Sequence, residues 1–391
     1  MLMAFKLALR NLIGAGLRTW LNVIVLSFAF VVIIWHKGIL DGWDRQARTD
    51  MISWEAGGGQ YWQQNYDPYD PFTISDSHAP VTGTLQNMVG HGTLTPILIT
   101  QGTIYPSGRM LSVLIKGIDP AQKILAIPSA MLDTASGDIP AIIGTSMAAS
   151  SKLKTGDHVT LRWRDRNGAF DATEIRIAGI FKTNVPTVDG SQIWLPLSKL
   201  QQMMLMPGEA TILVCKQRNE SFPAAAGWKV KDLDFLLADM NNIIKSKTAG
   251  GMVLWGILMM LALLAIFDTQ VLAIFRRQKE IGMYVAMGMT RRQVVALFTT
   301  EGAMHAVLAT LLGAVYGIPL LALQAIRGIS FPVSGSDYGI SMAERLYPHY
   351  GIRLIIMTIL IVMIATTIVS YWPARKIARM KPTDALRGKI Q

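Results

Sequence analysis

The segment from Arg276 to Gly302 reads RRQKEIGMYVAMGMTRRQVVALFTTEG and lies between two long apolar stretches. Arg276 and Arg277 close one apolar stretch, and Arg291 and Arg292 open the next. Basic residues beside an apolar stretch of about 20 residues are typical of the point where a transmembrane helix meets the lipid headgroups. The segment therefore predicts a short loop between two membrane spans.

Outward from this loop, four stretches are long and apolar enough to cross a membrane. The predicted spans are 19–37, 248–275, 293–326 and 354–374. The remaining pieces are the N-terminal segment 1–18, the large segment 38–247, the loop 276–292, the loop 327–353 and the tail 375–391. A cleavable signal peptide is the alternative for the first span, but no small-residue cleavage pattern follows Trp35. The predicted fold class is an α-helical membrane protein with four transmembrane helices and a large α+β extracytoplasmic domain between the first two.

The charge distribution indicates which pieces face the cytoplasm. The chain has 391 residues, of which 16% are charged, and its net charge is +11; soluble domains have about 25% charged residues. Residues 1–19, 276–292 and 375–391 carry net charges of +3, +4 and +5, whereas 37–247 is neutral. By the positive-inside rule both termini and the loop are cytoplasmic, which predicts a multi-pass protein of the cell (inner) membrane. Nucleic acid is not an expected partner, because the basic residues flank spans instead of forming one soluble face.

The segment 38–247 is long enough for one or two packed domains. Alternating apolar and polar residues predict three strands, at Ser107–Gly117, His158–Trp163 and Glu174–Phe181. Short helices are expected at Ala141–Lys152, Leu197–Met204 and Asp232–Lys245. The pattern is that of a mixed α+β domain.

One part of this domain has little periodicity. Residues Trp54 to Phe72 read WEAGGGQYWQQNYDPYDPF and are rich in Trp, Tyr, Gly and Pro. The aromatic side chains either contact an apolar ligand or lipid headgroups, or pack on the domain as part of a surface loop.

Within the loop 276–292, Glu280 to Met287 can form a short helix along the membrane. Gly282 and Ala286 are four residues apart, so they leave a small-residue face that another helix or protein surface can approach closely. Gly288 is expected to end the helix. A plain basic loop between spans is the alternative.

Three ionisable residues lie inside predicted spans, where a charge costs about 2.5–3.5 kcal/mol on insertion scales. Asp268 is expected to have an inter-helix hydrogen bond or an arginine partner. Glu301 and His305 are four residues apart on one face of the third span and can pair with each other. Structural polar contacts are favoured over a proton relay, which would require a continuous chain of such groups.

The third span also contains Gly313 and Gly317 as a GxxxG motif, which permits close helix packing. Packing within one chain and packing across a dimer both fit this motif.

Motifs for chemistry are absent from the sequence. There is no GxxxxGK[ST], HExxH or GxSxG, and the single cysteine, Cys215, excludes an intramolecular disulfide and a four-cysteine zinc site. No catalytic, cofactor-binding or metal residues are predicted, and the chain is not expected to be an enzyme.

The pattern RxxKEIGxxxAMGxxRRQ, followed by a span that begins with Glu301-Gly302-Ala303, resembles the coupling-helix region of FtsX/MacB-like ABC transporter permeases. Pro373–Lys376 and Lys381–Arg387 resemble the ending of the same family. The resemblance implies that the loop docks into a separate cytoplasmic ATPase dimer, which binds ATP and Mg, and that a second permease copy or paralogue is present. The implied coupling residues are Arg277, Glu280, Ile281, Gly282, Ala286, Gly288 and Arg291.

The outer segment is most similar to the lipoprotein-releasing (LolC/LolE-type) branch. The residues that carry this similarity are Lys116–Pro120, Ile143–Ala148, Leu153–Asp157 and Ile177–Phe181. The branch implies mechanotransmission, in which ATP-driven motion moves the extracytoplasmic domain and releases lipoproteins from the inner membrane to a periplasmic carrier, with contacts to membrane lipids. The alternatives are MacB-like efflux of small molecules or peptides, and a non-transporting FtsX-like signalling subunit that activates an extracytoplasmic hydrolase.

Overall fold

The structure is a computed structural model that describes residues 17–133, 137–217, 223–330, 343 and 345–377. Residues 1–16 of the N-terminal segment and 378–391 of the tail, which include Lys381–Arg387, lie outside the described residues, as do residues 331–342 and 344 of the predicted loop 327–353. The chain divides into two compact units. The membrane unit comprises Met1–Trp43, Ile244–Ile329 and Tyr347–Gln391, and the strand-rich unit comprises Asp44–Ile243 and Ser330–Leu346.

The helices, in chain order, are α1 (Leu17–Met51), α2 (Gly83–Gly90), α3 (Thr145–Ser151), α4 (Pro186–Gly190), α5 (Leu197–Met203), α6 (Leu233–Leu236), α7 (Ala238–Arg276), α8 (Gln278–Ala286), α9 (Arg291–Arg327) and α10 (Ile352–Ile377). A π-helical turn, Ile52–Ala56, follows α1, and 3-10 turns lie at Ile74–Asp76, Pro106–Gly108 and Ser129–Leu132.

The strands are β1 (Gln60–Gln63), β2 (Ala79–Pro80), β3 (Leu94–Ile104), β4 (Leu111–Ile118), β5 (Ile139–Gly144), β6 (His158–Arg164), β7 (Phe170–Phe181), β8 (Gln192–Pro196), β9 (Glu209–Ala210), β10 (Ile212–Cys215), β11 (Trp228–Lys231), β12 (Ile329–Ser330) and β13 (Arg345–Leu346).

Among the described residues, four helices are long and apolar enough to cross a membrane, namely α1, α7, α9 and α10. Their shared core contains Leu26 and Phe30 from α1, Ile266 from α7, Ala309 from α9 and Val362 from α10. All four helices contribute buried apolar side chains to one cluster, so they form a single bundle. Helices α1 and α7 extend well beyond the predicted spans 19–37 and 248–275, and the boundary between the two units falls inside each of them.

The strand-rich unit is built on a nine-stranded sheet. Six of its strands close on themselves in the order β3-β4-β8-β5-β7-β6, because β6 also pairs with the C-terminal part of β3. Strands β10, β1 and β11 continue the sheet from the N-terminal part of β3. Closure gives the unit an inner apolar core, to which Leu98, Ile115, Ile143, Leu161 and Ile193 contribute.

The strands predicted at 107–117, 158–163 and 174–181 correspond to β4, β6 and β7. The predicted helix Ala141–Lys152 is wrong over its first four residues, which belong to β5 and are fully buried between β7 and β8. Only Thr145–Ser151 is helical. The short apolar run in β5 has no periodicity that separates a buried strand from a buried helix.

The end of α1 and its π-helical turn are fixed within the strand-rich unit by polar contacts. Asn184 Nδ2 donates to Asp50 Oδ2 at 2.9 Å, and Thr187 Oγ1 donates to Glu55 Oε2 at 2.8 Å. The segment is thus bonded to the rest of the strand-rich unit at two positions, Asp50 and Glu55, and these two bonds fix its place in the unit.

Candidate coupling site and membrane unit

The loop after the second long helix contains the nine-residue helix α8. The helix ends as predicted near Gly288, whose φ of +97° lies in the left-handed region that favours glycine. Gly288 N–H donates to Val285 O at 3.1 Å, and Met289 N–H donates to Tyr284 O at 3.0 Å. These two bonds form a Schellman motif, which satisfies the last carbonyl groups of α8.

Helix α9 begins immediately afterwards with a capping box. Gln293 N–H donates to Thr290 Oγ1 at 3.3 Å, and Thr290 N–H donates to Gln293 Oε1 at 2.8 Å. The turn between α8 and α9 is therefore closed by local hydrogen bonds on both sides.

One face of α8 packs against the membrane unit and the other is exposed. Ile281 is 4% exposed and shares an apolar cluster with Phe298 of α9. Gly282 is also buried, whereas Ala286 is exposed. Gly282 therefore lies with Ile281 on the inner side of the helix and Ala286 on the open side, so the two small residues do not form one exposed face. Met283 supplies a large exposed apolar surface, with 50% of its area accessible.

Arg277 connects α8 to the next long helix. Its Nε donates to Glu280 Oε2 at 2.7 Å, and its NH1 group lies 3.2 Å from both carboxylate oxygens of Glu301. The guanidinium carbon is 5.3 Å from the ring centre of Phe298. A planar guanidinium can hold two carboxylates at once, whereas a lysine ammonium is a single point charge. Arg277 therefore ties the loop helix to α9 through a largely buried ion pair.

Glu301 and His305 do not pair through their side chains. His305 Nδ1 lies 3.0 Å from the backbone oxygen of Glu301, while the Glu301 carboxylate turns to Arg277. His305 Nε2 is buried and has no hydrogen-bond partner among the described residues. The expected contact is replaced because an arginine 24 residues earlier in the chain offers a full charge to the carboxylate.

Asp268 is exposed on α7 and makes no hydrogen bond or ion pair with the described residues. The expected inter-helix bond is made instead by its neighbour, because Asn22 of α1 donates to Thr269 Oγ1. Arg276 and Arg291 are likewise exposed.

The glycines of α9 permit close approach to two other helices. A Cβ atom at Gly317 would lie 2.7 Å from Val31 of α1, and one at Gly313 would lie 3.6 Å from the backbone oxygen of Ser27. The GxxxG motif thus faces α1 of the same chain. A Cβ atom at Gly302 would overlap the hydroxyl of Ser370 in α10.

The membrane unit contains an apolar cavity of about 380 Å³ between α1, α7 and α10. Its lining is formed mainly by large apolar side chains, among them Leu40, Leu258 and Ile361. Trp35 and Lys37 also line the cavity. The indole N–H of Trp35 is buried without an acceptor among the described residues. The lining makes the cavity suitable for an apolar chain.

Residues 252–382, which include α8, α9 and α10 and most of α7, match the family model described as FtsX-like permease C-terminal. The matched residues form an FtsX-like permease domain, and the chain is similar to FtsX/MacB-like ABC permeases. The permease is 24% identical over 230 residues to the macrolide export ATP-binding/permease protein MacB 2 of Aeromonas hydrophila, covering 54% of this chain and 33% of that protein.

The names of two further relatives also include a permease. MacB of Rhodopirellula baltica is 23% identical over 174 residues, which are 44% of this permease and 23% of MacB. The ABC transporter permease YtrF of Bacillus subtilis is 27% identical over 136 residues, which are 34% of this permease and 31% of YtrF. The permease thus spans about a quarter to a third of the length of these curated relatives.

The strand-rich unit of the permease has an open groove of about 620 Å³ beside β3, β4 and β6. Arg162, Arg164 and Phe170 line it, and the Arg162 guanidinium lies 4.4 Å from the Phe170 ring centre. Met110 and Phe170 are large exposed side chains there, at 69% and 66%. Sequence reasoning missed this groove, because the residues come from two separate hairpins.

The aromatic segment 54–72 divides into packed and exposed parts. Trp54 stacks on Phe181 with ring centres 5.6 Å apart, and Trp62 contacts Tyr66 edge-on at 5.1 Å. These aromatic rings pack on the strand-rich unit. Phe72 differs, because it is 88% exposed.

Lys116, from the branch-like motif 116–120, is a buried cation. Only 7% of the residue is exposed, and its Nζ lies 5.2 Å from the ring centre of Trp194. Burial lowers the pKa of the Lys116 ammonium, while the Glu55 carboxylate acts in the opposite direction. Lys116 therefore belongs to the core of the unit and not to an accessible site.

Among the described residues, no group of three or more His, Cys, Asp or Glu side chains is arranged to hold a metal ion. The residues that the structure brings together around α8 are Arg277, Glu280 and Glu301. The sequence indicates that Glu301 needs a cationic partner, because a carboxylate inside a span is costly when it is unpaired. The spacing of the residues does not indicate that this partner is Arg277.

Proposed function

We propose that this chain is the permease subunit of an ABC transporter and that α8 receives the motion of a separate cytoplasmic ATPase dimer, which binds ATP and Mg. The observation that carries the proposal is the position of Arg277, which bonds to Glu280 of α8 and to Glu301 of α9. Force applied to the exposed face of α8 reaches a membrane helix through this pair. ATP hydrolysis is assigned to the partner and not to this chain.

The proposed orientation has both termini and α8 in the cytoplasm and the strand-rich unit outside the inner membrane. The basic residues around the spans support it, because positive charge accumulates in cytoplasmic pieces. A second permease copy or paralogue completes the transporter.

The proposed cargo is a lipoprotein, released from the inner membrane toward the outer membrane and passed to a periplasmic carrier. The cavity of about 380 Å³ between α1, α7 and α10 supports an acylated cargo, because its lining is apolar and it lies among membrane helices.

Export of a small molecule is the second candidate. The observation in its favour is that curated relatives such as MacB 2 of Aeromonas hydrophila are described as macrolide export ATP-binding/permease proteins. That description covers an ATP-binding part as well as a permease part, and the sequence of this chain contains no GxxxxGK[ST] motif.

The docking of the ATPase is tested by purification in mild detergent. Ala286→Trp adds bulk on the exposed face of α8 and should reduce the amount of ATPase that co-purifies, whereas Ala322→Trp, an exposed position at the other end of α9, should not. Recovery of no ATPase with the unaltered chain, or equal recovery with both variants, would refute the docking assignment.

The cargo is tested by the distribution of lipoproteins between the two membranes. Leu258→Trp fills the cavity and should retain lipoproteins in the inner membrane, whereas Leu311→Trp, at a position 60% exposed on α9, should not. An unchanged lipoprotein distribution after depletion of the protein, combined with increased macrolide sensitivity, would replace lipoprotein release by the second candidate.

A further inference from the structure

The segment 67–72 of the strand-rich unit is a short repeat that exposes two aromatic rings. It reads DPYDPF, which is a three-residue unit of aspartate, proline and an aromatic residue repeated once. Tyr69 is 78% exposed and Phe72 is 88% exposed. The tryptophan rings earlier in the same aromatic stretch pack on the unit. The two rings of the repeat therefore differ from their neighbours in facing solvent.

The repeat holds both rings in fixed positions. Each aspartate accepts, through Oδ1, the backbone N–H of the aromatic residue two positions later, at 2.9 Å for Tyr69 and 3.0 Å for Phe72. Gln101 of β3 donates from Nε2 to the Pro71 carbonyl oxygen at 3.0 Å, and the Tyr69 hydroxyl donates to Asp239. The prolines restrict the backbone further. A loop that is already ordered loses little conformational entropy when a partner binds to it.

The other exposed aromatic rings of the strand-rich unit carry a cation of this chain. Among the described residues these rings are Phe170, at 66% exposed, and Phe235, at 50%. The Arg162 guanidinium carbon lies 4.4 Å from the Phe170 ring centre, and Lys231 Nζ lies 3.7 Å from the Phe235 ring centre. In such cation–π contacts the positive charge is attracted to the electron-rich face of the ring.

Tyr69 and Phe72 have no such cation and lie beside negative charge instead. In the described part of the chain, no lysine or arginine lies over either ring. Residues 49–108 include no lysine or arginine. The acidic residues of this range are Asp50, Glu55, Asp67, Asp70 and Asp76. The Oδ2 atoms of Asp67 and Asp70 make no hydrogen bond with the described residues. Two ring faces and two carboxylate oxygens are thus open to a cation.

We propose that the segment 67–72 is a docking surface for a second protein that presents arginine side chains, which lie over the Tyr69 and Phe72 rings and pair with the aspartates of the repeat. Aromatic residues and arginine are the residues that carry most of the binding energy at protein interfaces. The acidic residues repel an anionic lipid surface, so a protein is the partner that fits. The inference goes beyond the proposed function, whose docking helix and cavity belong to the membrane unit.

The chain itself shows how an arginine satisfies both parts of such a site. Arg277 places its guanidinium carbon 5.3 Å from the Phe298 ring centre while its NH1 group bonds to Glu301 at 3.2 Å. A planar guanidinium can stack on a ring with its face and bond to a carboxylate along its edge. Each unit of the repeat offers this same combination of a ring and a carboxylate.

Binding of a labelled oligo-arginine peptide to the full chain in phosphatidylcholine nanodiscs tests the rings. Phe72→Leu keeps an apolar side chain without the ring and should weaken binding by about two- to five-fold, the range for one exposed cation–π contact. Phe72→Tyr keeps the ring and should bind like the unaltered chain. Phe170→Leu is the matched control, because Arg162 already covers that ring, and should not change the affinity. Unchanged affinity of F72L, or an equal loss in F170L, would overturn the proposal.

The same assay tests the carboxylates. Asp67→Asn removes the charge but keeps an Oδ1 acceptor for the turn, so it should weaken binding of the peptide without unfolding the loop. Raising the salt concentration should weaken binding to the unaltered chain more than binding to D67N, because salt screens exposed charges. Equal affinity and equal salt dependence of the two proteins would refute the pairing with aspartate.

Photo-cross-linking in native membranes tests the class of partner. We would place p-benzoylphenylalanine at Phe72 and, as a control on the same unit, at Met131, which is 48% exposed. The probe at Phe72 should give a protein adduct whose linked peptide contains arginine, and the probe at Met131 should not give this adduct. No adduct, an adduct with phospholipid alone, or a linked peptide without arginine would overturn the proposal. None of these readouts involves the ATPase, so they are independent of the proposed function.

Discussion

Loss of one partner from the ion pair between Arg277 and Glu301 should cost far more stability than loss of the pair between Arg277 and Glu280. The side chains of Arg277 and Glu301 are 19% and 10% exposed, whereas Glu280 is 48% exposed. Removing one partner of a buried pair leaves an uncompensated charge and costs about 3–5 kcal/mol. An exposed pair contributes about 0.2–1 kcal/mol.

Arg277→Met removes the guanidinium and keeps much of the apolar stem over Phe298. We expect R277M to lower the free energy of unfolding by about 3–5 kcal/mol, and Glu280→Gln by no more than about 1 kcal/mol. Adding Glu301→Gln to R277M removes the stranded charge and should restore most of the loss. Because the link to α9 is still broken, the double variant should not recover coupling to the ATPase.

The measurement is a double-mutant cycle by unfolding of the purified chain in detergent, with ATP hydrolysis by the co-purified complex read in parallel. Two results would refute the reasoning. One is a cost of R277M no greater than that of E280Q. The other is additivity of R277M and E301Q, which would mean that the two side chains do not interact.

Three further outcomes are expected. Gly302→Ala drives a Cβ into the Ser370 hydroxyl and should cost about 1–3 kcal/mol of unfolding free energy, recovered by adding Ser370→Gly. Gly256→Ala, with open space around it, should instead be neutral or gain up to about 1 kcal/mol; equal melting temperatures of the two alanine variants would contradict this. Since burial lowers the pKa of Lys116 in the folded chain, the unfolded chain binds more protons at alkaline pH, and denaturant unfolding should show stability rising with pH there. This slope should disappear in Lys116→Met, and an equal slope in both proteins would refute the assignment. Burial raises the pKa of the Cys215 thiol to about 12, so mass spectrometry should detect alkylation at pH 8 only after unfolding, and rapid native labelling would refute the buried thiol.

The turn between α8 and α9 illustrates what short-range sequence can predict. Gly288 was expected to end the loop helix, and it does so through a Schellman motif whose partners all lie within five residues. Thr290 and Gln293 form a capping box that is equally local. Such motifs are encoded by adjacent residues and need no knowledge of the rest of the fold.

Contacts between separate helices could not be derived in this way. Glu301 and His305 are four residues apart in α9, and this spacing predicted that their side chains pair. In the structure the Glu301 carboxylate bonds to Arg277 instead. The approach of Gly302 to Ser370 joins residues from two helices far apart in the chain. Local patterns report which face of a helix is apolar or polar, but the partner of each face is set by the packing of the whole bundle.

The contacts of α9 bear on the route by which the proposed ATPase stroke would enter the membrane unit. Helix α7 ends at Arg276, directly before α8, and is the nearest membrane helix along the chain. The strongest polar contact of the loop is nevertheless with α9, through Arg277 and Glu301. Helix α9 also approaches α1 closely at Gly317 and α10 at Gly302, where the glycines leave room for the side chains of Val31 and Ser370. If the ATPase docks on α8, displacement of that helix must either break the buried pair at a cost of about 3–5 kcal/mol or carry α9 with it. Since α9 is packed tightly against α1 and α10, moving it moves both neighbours. A stroke that preserves the ion pair therefore displaces the bundle as a body, and one that breaks it uncouples α8 from the other spans.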